Sequence, residues 1–308
     1  MYLFKPGYIP NKIYIVGAGG IGSRLVPLVA QFCAKTVRSW LPNLEIYVVD
    51  PDIIEEKNLL RQNFIEPDVG QSKAFVLAQR YGGAMDFPIV PIQEKFSDYF
   101  KRTRTDFSNS LVLMCLDSKA ARVDTLRHIR ATNSLSNSPT IIDGGNENTY
   151  GQIHVCTMTD VSSTELDSVM KTVPMDKGRL ELNYLNFDRS FYLSKEESKA
   201  SEMSCADLDQ TLAINAMVAT AMMGLVQNIF FRQPISYKRI NFDLNYGVNT
   251  QMITLNDLLR TKELDNRGIP LKSIHVLDGE AKNLLVYLKS SDILDPKFAE
   301  GIRSNLGV

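Results

Sequence analysis

The amino-acid sequence predicts an α/β fold, a doubly wound, Rossmann-like, mostly parallel sheet with helices on both faces. Three observations predict it. Apolar runs alternate with helical patterns along the first half of the chain, the first apolar run ends in a glycine-rich loop, and the second ends in an aspartate. This order of strand, glycine loop, helix, strand and acid is typical of nucleotide-binding sheets.

The first half of the chain supplies the alternating elements. Short apolar runs end in polar or glycine-rich turns, and helical patterns separate them. The predicted elements are strands at residues 12–16, 45–49, 89–90, 111–116 and 140–142, and helices at 21–40, 70–81 and 120–132. Because the carboxyl ends of parallel strands share one sheet edge, we expect ligands to bind along that edge.

The second half is predicted to complete the same sheet after an excursion. An apolar run at 152–158 precedes a weakly patterned, charged segment at 159–204, a long apolar helix at about 207–231, and strands at 237–244 and 251–255. The predicted organisation is a nucleotide-binding half at 1–156, a crossover segment at 157–206, the long helix and closing strands of the same domain at 207–258, and a small C-terminal appendage at 259–308.

Composition excludes several classes of protein. Of 308 residues, 44% are hydrophobic and 22% are charged, which excludes large-scale disorder. The formal net charge of −1 argues against a nucleic-acid partner. The first residues lack a signal-peptide pattern, so a cytoplasmic protein is expected. The apolar stretch at 211–231 is long enough to span a bilayer, but Asn215 and Gln227 favour a buried helix over a membrane anchor.

Cysteines and histidines show no metal-binding spacing. The four cysteines form no C-x-x-C pair, and the three histidines are scattered. Cys33 and Cys115 lie in apolar runs that are typical of buried, reduced thiols.

Gly17, Gly19, Gly20 and Gly22 form the loop between the first strand and the first helix. Glycines let the backbone turn tightly and approach phosphates, and the helix N-terminus adds N–H groups and a favourable dipole. The pattern fits NAD, FAD and ATP about equally, and a tight turn without a ligand is the alternative.

Asp50 and Asp52 follow the second predicted strand. An acid at this place usually accepts hydrogen bonds from ribose hydroxyl groups, and we expect that role for Asp50 within the nucleotide site. A helix cap or turn cap is the alternative, and Asp52 argues against a simple cap because it continues an acidic turn.

Four further residues favour ATP over a nicotinamide cofactor: Asn58, Arg61, Gln62 and Lys73. A dehydrogenase needs no arginine and lysine here, whereas an adenylating enzyme must hold a triphosphate and stabilise the departing pyrophosphate. Arginine supplies a fork of donors and lysine a compact charge. For any one of these residues alone, a solvated helix face would be the better interpretation.

Asp117 ends the apolar run at 111–116 and is a candidate Mg²⁺ ligand. Magnesium is usually held by one or two carboxylates together with phosphates and water. Asp117 or Ser118 could instead cap the following helix, and the two roles can coexist.

Together these motifs resemble the ThiF/MoeB/HesA superfamily, whose adenylating domain is shared with ubiquitin-activating enzymes. The resemblance covers about residues 10–156 and rests on the glycine loop, Asp50, Asn58-Leu59-Leu60-Arg61-Gln62, Gly70-Gln71-Ser72-Lys73-Ala74, and Asp117 with Arg122. A second resemblance, over about residues 10–255, is to the ThiF-like protein of the bacterial PRTRC gene system. It rests on Ile142-Asp143-Gly144-Gly145-Asn146, Gly151-Gln152, Met203-Ser204-Cys205-Ala206 and Asn215.

The resemblance implies an ATP- and Mg²⁺-dependent adenylyltransferase that activates the C-terminal carboxylate of a small prokaryotic ubiquitin-like protein. It implies that Gly19 and Gly22 line the phosphates, that Asp50 holds the ribose and that Asp117 binds Mg²⁺. The residues implied to surround the triphosphate are Asn58, Arg61, Gln62 and Lys73. The superfamily also implies a homodimer, and the gene system implies conjugating or deconjugating partners.

The chain departs from the superfamily in two ways. Superfamily homodimers commonly offer an N-terminal arginine to the neighbour's ATP, but only Lys5 and Lys12 precede the glycine loop here, and Arg24 lies in the first helix. The zinc-binding C-x-x-C pairs of ThiF and MoeB are absent.

Cys205 is the candidate nucleophile for a later thioester. It lies just before the long helix, and a helix N-terminus stabilises a thiolate. The alternative is a residue that only marks the helix start, and Cys156 is a weaker candidate.

Adenylation is therefore the expected function. The alternatives are adenylation of a different substrate, a non-catalytic nucleotide-binding scaffold, and a nicotinamide oxidoreductase. Arg61, Lys73 and Asp117 together argue against the scaffold, and the missing arginine argues for it. The oxidoreductase would leave every motif after Asp50 unexplained.

Overall fold

Eight strands and five α-helices make up the described part of the chain. The computed structural model describes residues 9–103, 107–132, 139–147, 149–157, 211–231, 237–245 and 247–252. The strands are β1 (Lys12–Val16), β2 (Glu45–Val49), β3 (Ile89–Ile92), β4 (Ser110–Met114), β5 (Thr140–Asn146), β6 (Tyr150–Thr157), β7 (Tyr237–Asp243) and β8 (Gly247–Met252). The helices are α1 (Gly22–Phe32), α2 (Lys73–Met85), α3 (Phe96–Thr103), α4 (Lys119–Thr132) and α5 (Leu212–Phe230).

All eight described strands form one sheet in the order β3-β2-β1-β4-β5-β6-β7-β8. The first five in this order pair in parallel. The last three strands add antiparallel pairs at one side. The predicted α/β fold with a mostly parallel, Rossmann-like sheet is confirmed.

Alternate residues of the central strands enter two separate hydrophobic cores. Ile13 and Ile15 of β1 pack in one core with residues of α1, α2 and α5. Tyr14 and Val16 pack in the other core with residues of α3 and α4. Both faces are therefore covered by helices, which is why these strands are apolar along their whole length.

The first two helices have other boundaries than predicted. The first helix is α-helical only to Phe32, and Cys33–Val37 continue it as a π-helix. The helix predicted from residue 70 begins at Lys73, because Gly70 has a φ of +86° and Ser72 is the N-cap residue. The Ser72 hydroxyl accepts a hydrogen bond from the Phe75 N–H, as expected of a cap.

Helix α3 was not predicted from the sequence. It has only eight residues, and three of its residues are aromatic, a type that forms helices weakly. Phe96 and Phe100 pack against Phe107 with ring centroids 5.5 and 3.9 Å away. Tertiary packing, and not local helix propensity, therefore stabilises this helix.

Helix α5 packs against α1, β5 and β6. It is the one helix in the described ranges that is long and apolar enough to cross a membrane by length and composition. Ten of its residues, including Asn215, are buried within the protein. This is the arrangement of a core helix, as the sequence indicated.

The ends of the three central strands lie in register. Val16 of β1 pairs with Val49 of β2 and with Met114 of β4. The segments that follow these strands therefore leave the sheet side by side, and the functional groups they carry converge at one edge.

Candidate functional site

A cleft of about 620 Å³ lies at the carboxyl edge of the parallel strands. Segments after β1, β2, β3 and β4 contribute to its lining. The predicted site residues that line it are Gly17, Gly19, Gly20, Asp50, Asp52, Asn58, Arg61, Gln62, Lys73 and Asp117. The structure thus brings together residues that are up to a hundred positions apart in the sequence. Cys205 lies outside the described residues.

The glycines of the loop serve different purposes. A Cβ on Gly22 would lie 1.9 Å from the Gly17 carbonyl oxygen, and Gly22 is not among the residues that line the cleft. Gly22 is therefore needed for packing inside the loop, and its role beside the phosphates stays a prediction. Gly17 has a φ of +96°, which favours glycine.

Gly19 is the glycine that leaves space for a ligand. A Cβ at this position would meet no heavy atom of the chain within 4 Å, and Gly19 lines the cleft. Its φ is not positive, so neither packing nor backbone strain in the described structure demands a glycine here. The open space would let a group such as a phosphate approach the backbone closely.

Helix α1 begins directly after this loop and is suited to an anion. Among the described residues, no side chain accepts a hydrogen bond at its N-cap, Ile21. The Ser23 and Arg24 N–H groups donate to the Gly19 and Ile21 carbonyl oxygens, and the N-terminus of the helix keeps its partial positive charge. That charge would attract a phosphate in the cleft.

Asp50 is bound to the glycine loop. Its Oδ2 accepts the Ala18 N–H at 2.6 Å, and its Oδ1 accepts the Asp52 N–H at 2.8 Å. Burial raises the pKa of Asp50 to about 6, although Lys73 and the Ala18 N–H act in the opposite direction. Asp50 therefore caps the turn, as the alternative interpretation predicted. Each carboxylate oxygen keeps a further lone pair for a donor such as a ribose hydroxyl.

Lys73 brings a buried positive charge into the cleft at the first residue of α2. Its Nζ lies 2.9 Å from Asp52 Oδ2, while its own side chain is almost fully buried. Its backbone N–H donates to the Asp52 carbonyl oxygen at 3.1 Å. Lys73 and Asp52 are thus joined through both backbone and side chain.

Asn58, Arg61 and Gln62 lie on one tight segment that begins with a 3₁₀ turn at Glu56–Asn58. Asn58 Oδ1 accepts the Glu55 N–H at 2.9 Å, and the Asn58 carbonyl accepts the Gln62 N–H at 2.9 Å. Asn58 therefore shapes the segment. Gln62 lines the cleft with its amide oxygen buried and unpaired within the described structure, which leaves an acceptor for a ligand.

Asp117 is an exposed residue of the cleft that follows β4. The helix cap comes from its neighbour, because Ser118 Oγ accepts the Ala121 N–H at 3.2 Å. Within the described ranges, no group of three or more histidine, cysteine, aspartate or glutamate residues could hold a metal ion. Mg²⁺ does not require such a group, because one or two protein carboxylates suffice when phosphates complete its coordination.

Arg122 and Asp143 form a buried ion pair behind Asp117. The guanidinium also donates to the Leu116 and Gly144 carbonyl oxygens. It thereby ties the end of β4 to β5 and fixes the backbone that precedes Asp117. The sequence resemblance included both residues but indicated no contact between them.

The sequence analysis missed several residues of the cleft. Lys95 and Ser97 line it from the segment after β3, where the strand-end rule would have found them had the full strand been predicted. Lys57 lines it beside Glu55, with 2.8 Å between Nζ and Oε2. Counting these residues, the lining carries both cations suited to phosphates and carboxylates suited to ribose or a metal.

Two of the described cysteines are unsuited to nucleophilic chemistry. Cys33 and Cys115 are buried free thiols. Burial raises the pKa of Cys33 to about 12 and raises that of Cys115 further above its ordinary value. Cys156 lies in β6 opposite Ile141.

Residues 10–254 match the protein family described as the ThiF family. No curated protein sequence matches the chain significantly. Among solved structures, the fold is similar to that of Escherichia coli MccB bound to AMPCPP and MccA, with a TM-score of 0.51, 19% identity, and coverage of 79% of this chain and 63% of MccB.

Two further MccB structures give the same result. MccB with ATP has a TM-score of 0.50 at 19% identity, with coverage of 79% of this chain and 63% of MccB. The microcin C7 biosynthetic enzyme MccB in complex with N-formylated MccA has a TM-score of 0.50 at 20% identity, with 79% and 64% coverage. The chain therefore spans less than two thirds of the length of these structures, and the similarity shows a shared fold.

Proposed function

The chain belongs to the ThiF family, and from that premise we propose that it is an ATP- and Mg²⁺-dependent adenylyltransferase acting on a C-terminal carboxylate. One observation carries the proposal. A glycine with open space above it, Arg61, Lys73 and Asp117 line the same cleft. This combination suits a triphosphate and its metal, whereas a nicotinamide dinucleotide has no use for the last three residues.

In the proposed reaction, a carboxylate oxygen attacks the α-phosphorus of ATP. The bond between the α-phosphorus and the bridging oxygen to the β-phosphate breaks, and pyrophosphate leaves with the negative charge. Arg61 and Lys73 stabilise that charge, and Gly19 with the start of α1 holds the phosphates. Asp50 accepts hydrogen bonds from the ribose.

Asp117 is the residue proposed to hold Mg²⁺. When bound, the metal neutralises part of the charge on the phosphate oxygens. The Arg122–Asp143 pair behind Asp117 keeps its backbone in place. No other described residue is required as a metal ligand in this proposal.

The proposed substrate is the C-terminus of a small prokaryotic ubiquitin-like protein. The resemblance to the PRTRC-system protein supports it, and the MccB structures contain ATP, or AMPCPP together with MccA. A homodimer is part of the proposal, with another cation in place of the missing N-terminal arginine. Thioester formation on Cys205 is proposed as a second step, and the proposed cytoplasmic location would keep this thiol reduced.

A nucleotide-binding scaffold is the second candidate. It is favoured by the absence of an arginine before the glycine loop. Such a protein would bind ATP in the same cleft without releasing pyrophosphate, so binding and exchange must be measured separately.

The test is ATP–pyrophosphate exchange with the purified chain and a small prokaryotic ubiquitin-like protein. The variant is Asp117→Ala, and the matched control is Asp98→Ala, which removes an exposed aspartate of α3 that lies outside the cleft. We expect exchange that requires the partner, is lost with Asp117→Ala and is unchanged with Asp98→Ala. ATP binding without exchange would favour the scaffold, and a thiol-sensitive adduct absent from Cys205→Ala would support the thioester.

A further inference from the structure

Asn63 lies where three segments of the cleft meet. Its backbone N–H donates to Ser23 Oγ at 3.0 Å, and its side-chain amide donates to the Ser23 carbonyl oxygen at 3.3 Å. Ser23 is fully buried in the first turn of α1, directly after the glycine loop. Asn63 itself follows Arg61 and Gln62, so these bonds join their segment to the loop.

The same asparagine is also bound to α2. Its amide donates to the Tyr81 hydroxyl at 2.7 Å, and Arg80 Nη1 donates to the Asn63 carbonyl oxygen at 3.4 Å. Arg80 is held in turn by both carboxylate oxygens of Asp68, at 2.5 and 2.6 Å. Because α2 begins with Lys73, Asn63 links all three segments that carry the predicted phosphate-binding groups.

Arg24 adds a contact to Arg61 itself. Its Nη2 donates to the Arg61 carbonyl oxygen at 3.2 Å. Burial lowers the pKa of Arg24, so this guanidinium has lost part of its water for an interaction with one backbone oxygen. Arg24 does not line the cleft, and its action on a ligand is through the placement of Arg61.

We propose that Asn63, with Ser23, Arg24 and Tyr81, forms a latch that positions Arg61 against the terminal phosphates of the nucleotide. The inference rests on the proposed function. The bonds fix the Arg61 carbonyl and the backbone two residues after it, relative to the glycine loop and to α2. Loss of the latch lets the Arg61 segment shift while the glycine loop and Asp50 keep their own contacts.

This role makes a prediction that a purely structural role does not make. AMP has no β- or γ-phosphate, and in the proposed site its ribose and α-phosphate are held by Asp50 and the glycine loop. The latch should therefore strengthen binding of ATP and leave binding of AMP nearly unchanged. Loss of one well-placed charge-assisted contact corresponds to about a tenfold change in affinity.

The experiment compares Kd values of ATP and AMP by calorimetry for the full chain and its variants. Asn63→Ala should weaken ATP about tenfold and AMP less than about threefold. Tyr81→Phe, which removes one acceptor and keeps the ring, should shift the ratio in the same direction by less. In an Arg61→Gln background, Asn63→Ala should change the ratio no further, because contacts that act through one residue are not additive.

Ile229→Val is the control for a general loss of stability, since it trims a buried side chain of α5 away from the cleft. It should lower Tm without changing the ATP-to-AMP ratio. Equal weakening of both nucleotides by Asn63→Ala and Tyr81→Phe, or an additive effect with Arg61→Gln, would overturn the latch. ATP binding without pyrophosphate exchange would overturn the proposed reaction alone.

Discussion

Replacement of Gly19 by alanine separates ligand binding from folding. The new Cβ would meet no heavy atom of the described chain within 4 Å, and the φ of Gly19 is accessible to alanine. Folding should therefore be unharmed. Alanine also restricts the unfolded chain, which stabilises a compatible position by about 0.4–1 kcal/mol. We expect the free energy of unfolding to be unchanged or higher.

Nucleotide binding should respond in the opposite direction. A methyl carbon keeps other heavy atoms about 3.5–4 Å away, whereas a phosphate oxygen must come within about 3 Å of a backbone N–H. Gly19→Ala therefore removes at least one charge-assisted hydrogen bond, which is worth about 1.5–3 kcal/mol. The Kd for ATP should rise by about one to two orders of magnitude.

Isothermal calorimetry with ATP and urea denaturation measure the two effects. Gly83→Ala is the matched control, because its Cβ also meets no atom within 4 Å and Gly83 lies in α2 away from the cleft. Gly22→Ala is the opposite control and should impair folding, since its Cβ would lie 1.9 Å from a carbonyl oxygen. If Gly19→Ala binds ATP as tightly as the wild type, the glycine loop does not hold the phosphates.

Three further predictions concern the elements around the cleft. Asp143→Asn leaves Arg122 as a buried, uncompensated charge and should cost about 3–5 kcal/mol in urea denaturation; a loss below about 1 kcal/mol would show that water already screens the pair. The raised pKa of Asp50, about 6, means that the folded state holds this proton more tightly, so the wild type loses stability as pH rises from about 4 to 7. The stability of Asp50→Asn relative to the wild type should therefore increase over that range by up to about 3 kcal/mol, and an equal difference at both pH values would contradict the shift. Phe107→Ala should cost about 3–5 kcal/mol because the ring is fully buried against α3, whereas Phe75→Ala, at a half-exposed ring, should change stability by about 0.5 kcal/mol or less in the same assay.

Much of the fold could be predicted because its determinants are local. The apolar strands, the glycines after β1 and the acids after β2 and β4 are contiguous patterns, and the parallel sheet brings their ends to one edge. Helix α3 was not predicted because it has only eight residues, several of them weak helix formers, and so short a segment shows little periodicity. Its stability comes from Phe107, which follows it in the chain.

The supports of the site could not be predicted in the same way. Asn63 bonds Ser23 forty positions away and Tyr81 eighteen positions away, and polar residues at such distances show no pattern in one sequence. The glycines illustrate the same limit. The sequence spacing does not distinguish Gly19 from Gly22. Only the packed structure shows that a Cβ on Gly19 would enter open space, whereas a Cβ on Gly22 would meet a carbonyl oxygen.

Lys73 shows why an existing ion pair is compatible with a role in binding phosphate. Its side chain is 8% exposed, whereas that of its partner Asp52 is 61% exposed. Because the Asp52 carboxylate lies largely in solvent, it stays hydrated when a phosphate takes its place beside Lys73. The Lys73 ammonium stays desolvated in either state, and its attraction for an anion is correspondingly strong. Asp52 therefore holds the Lys73 ammonium in place, and a triphosphate that enters the cleft can replace it.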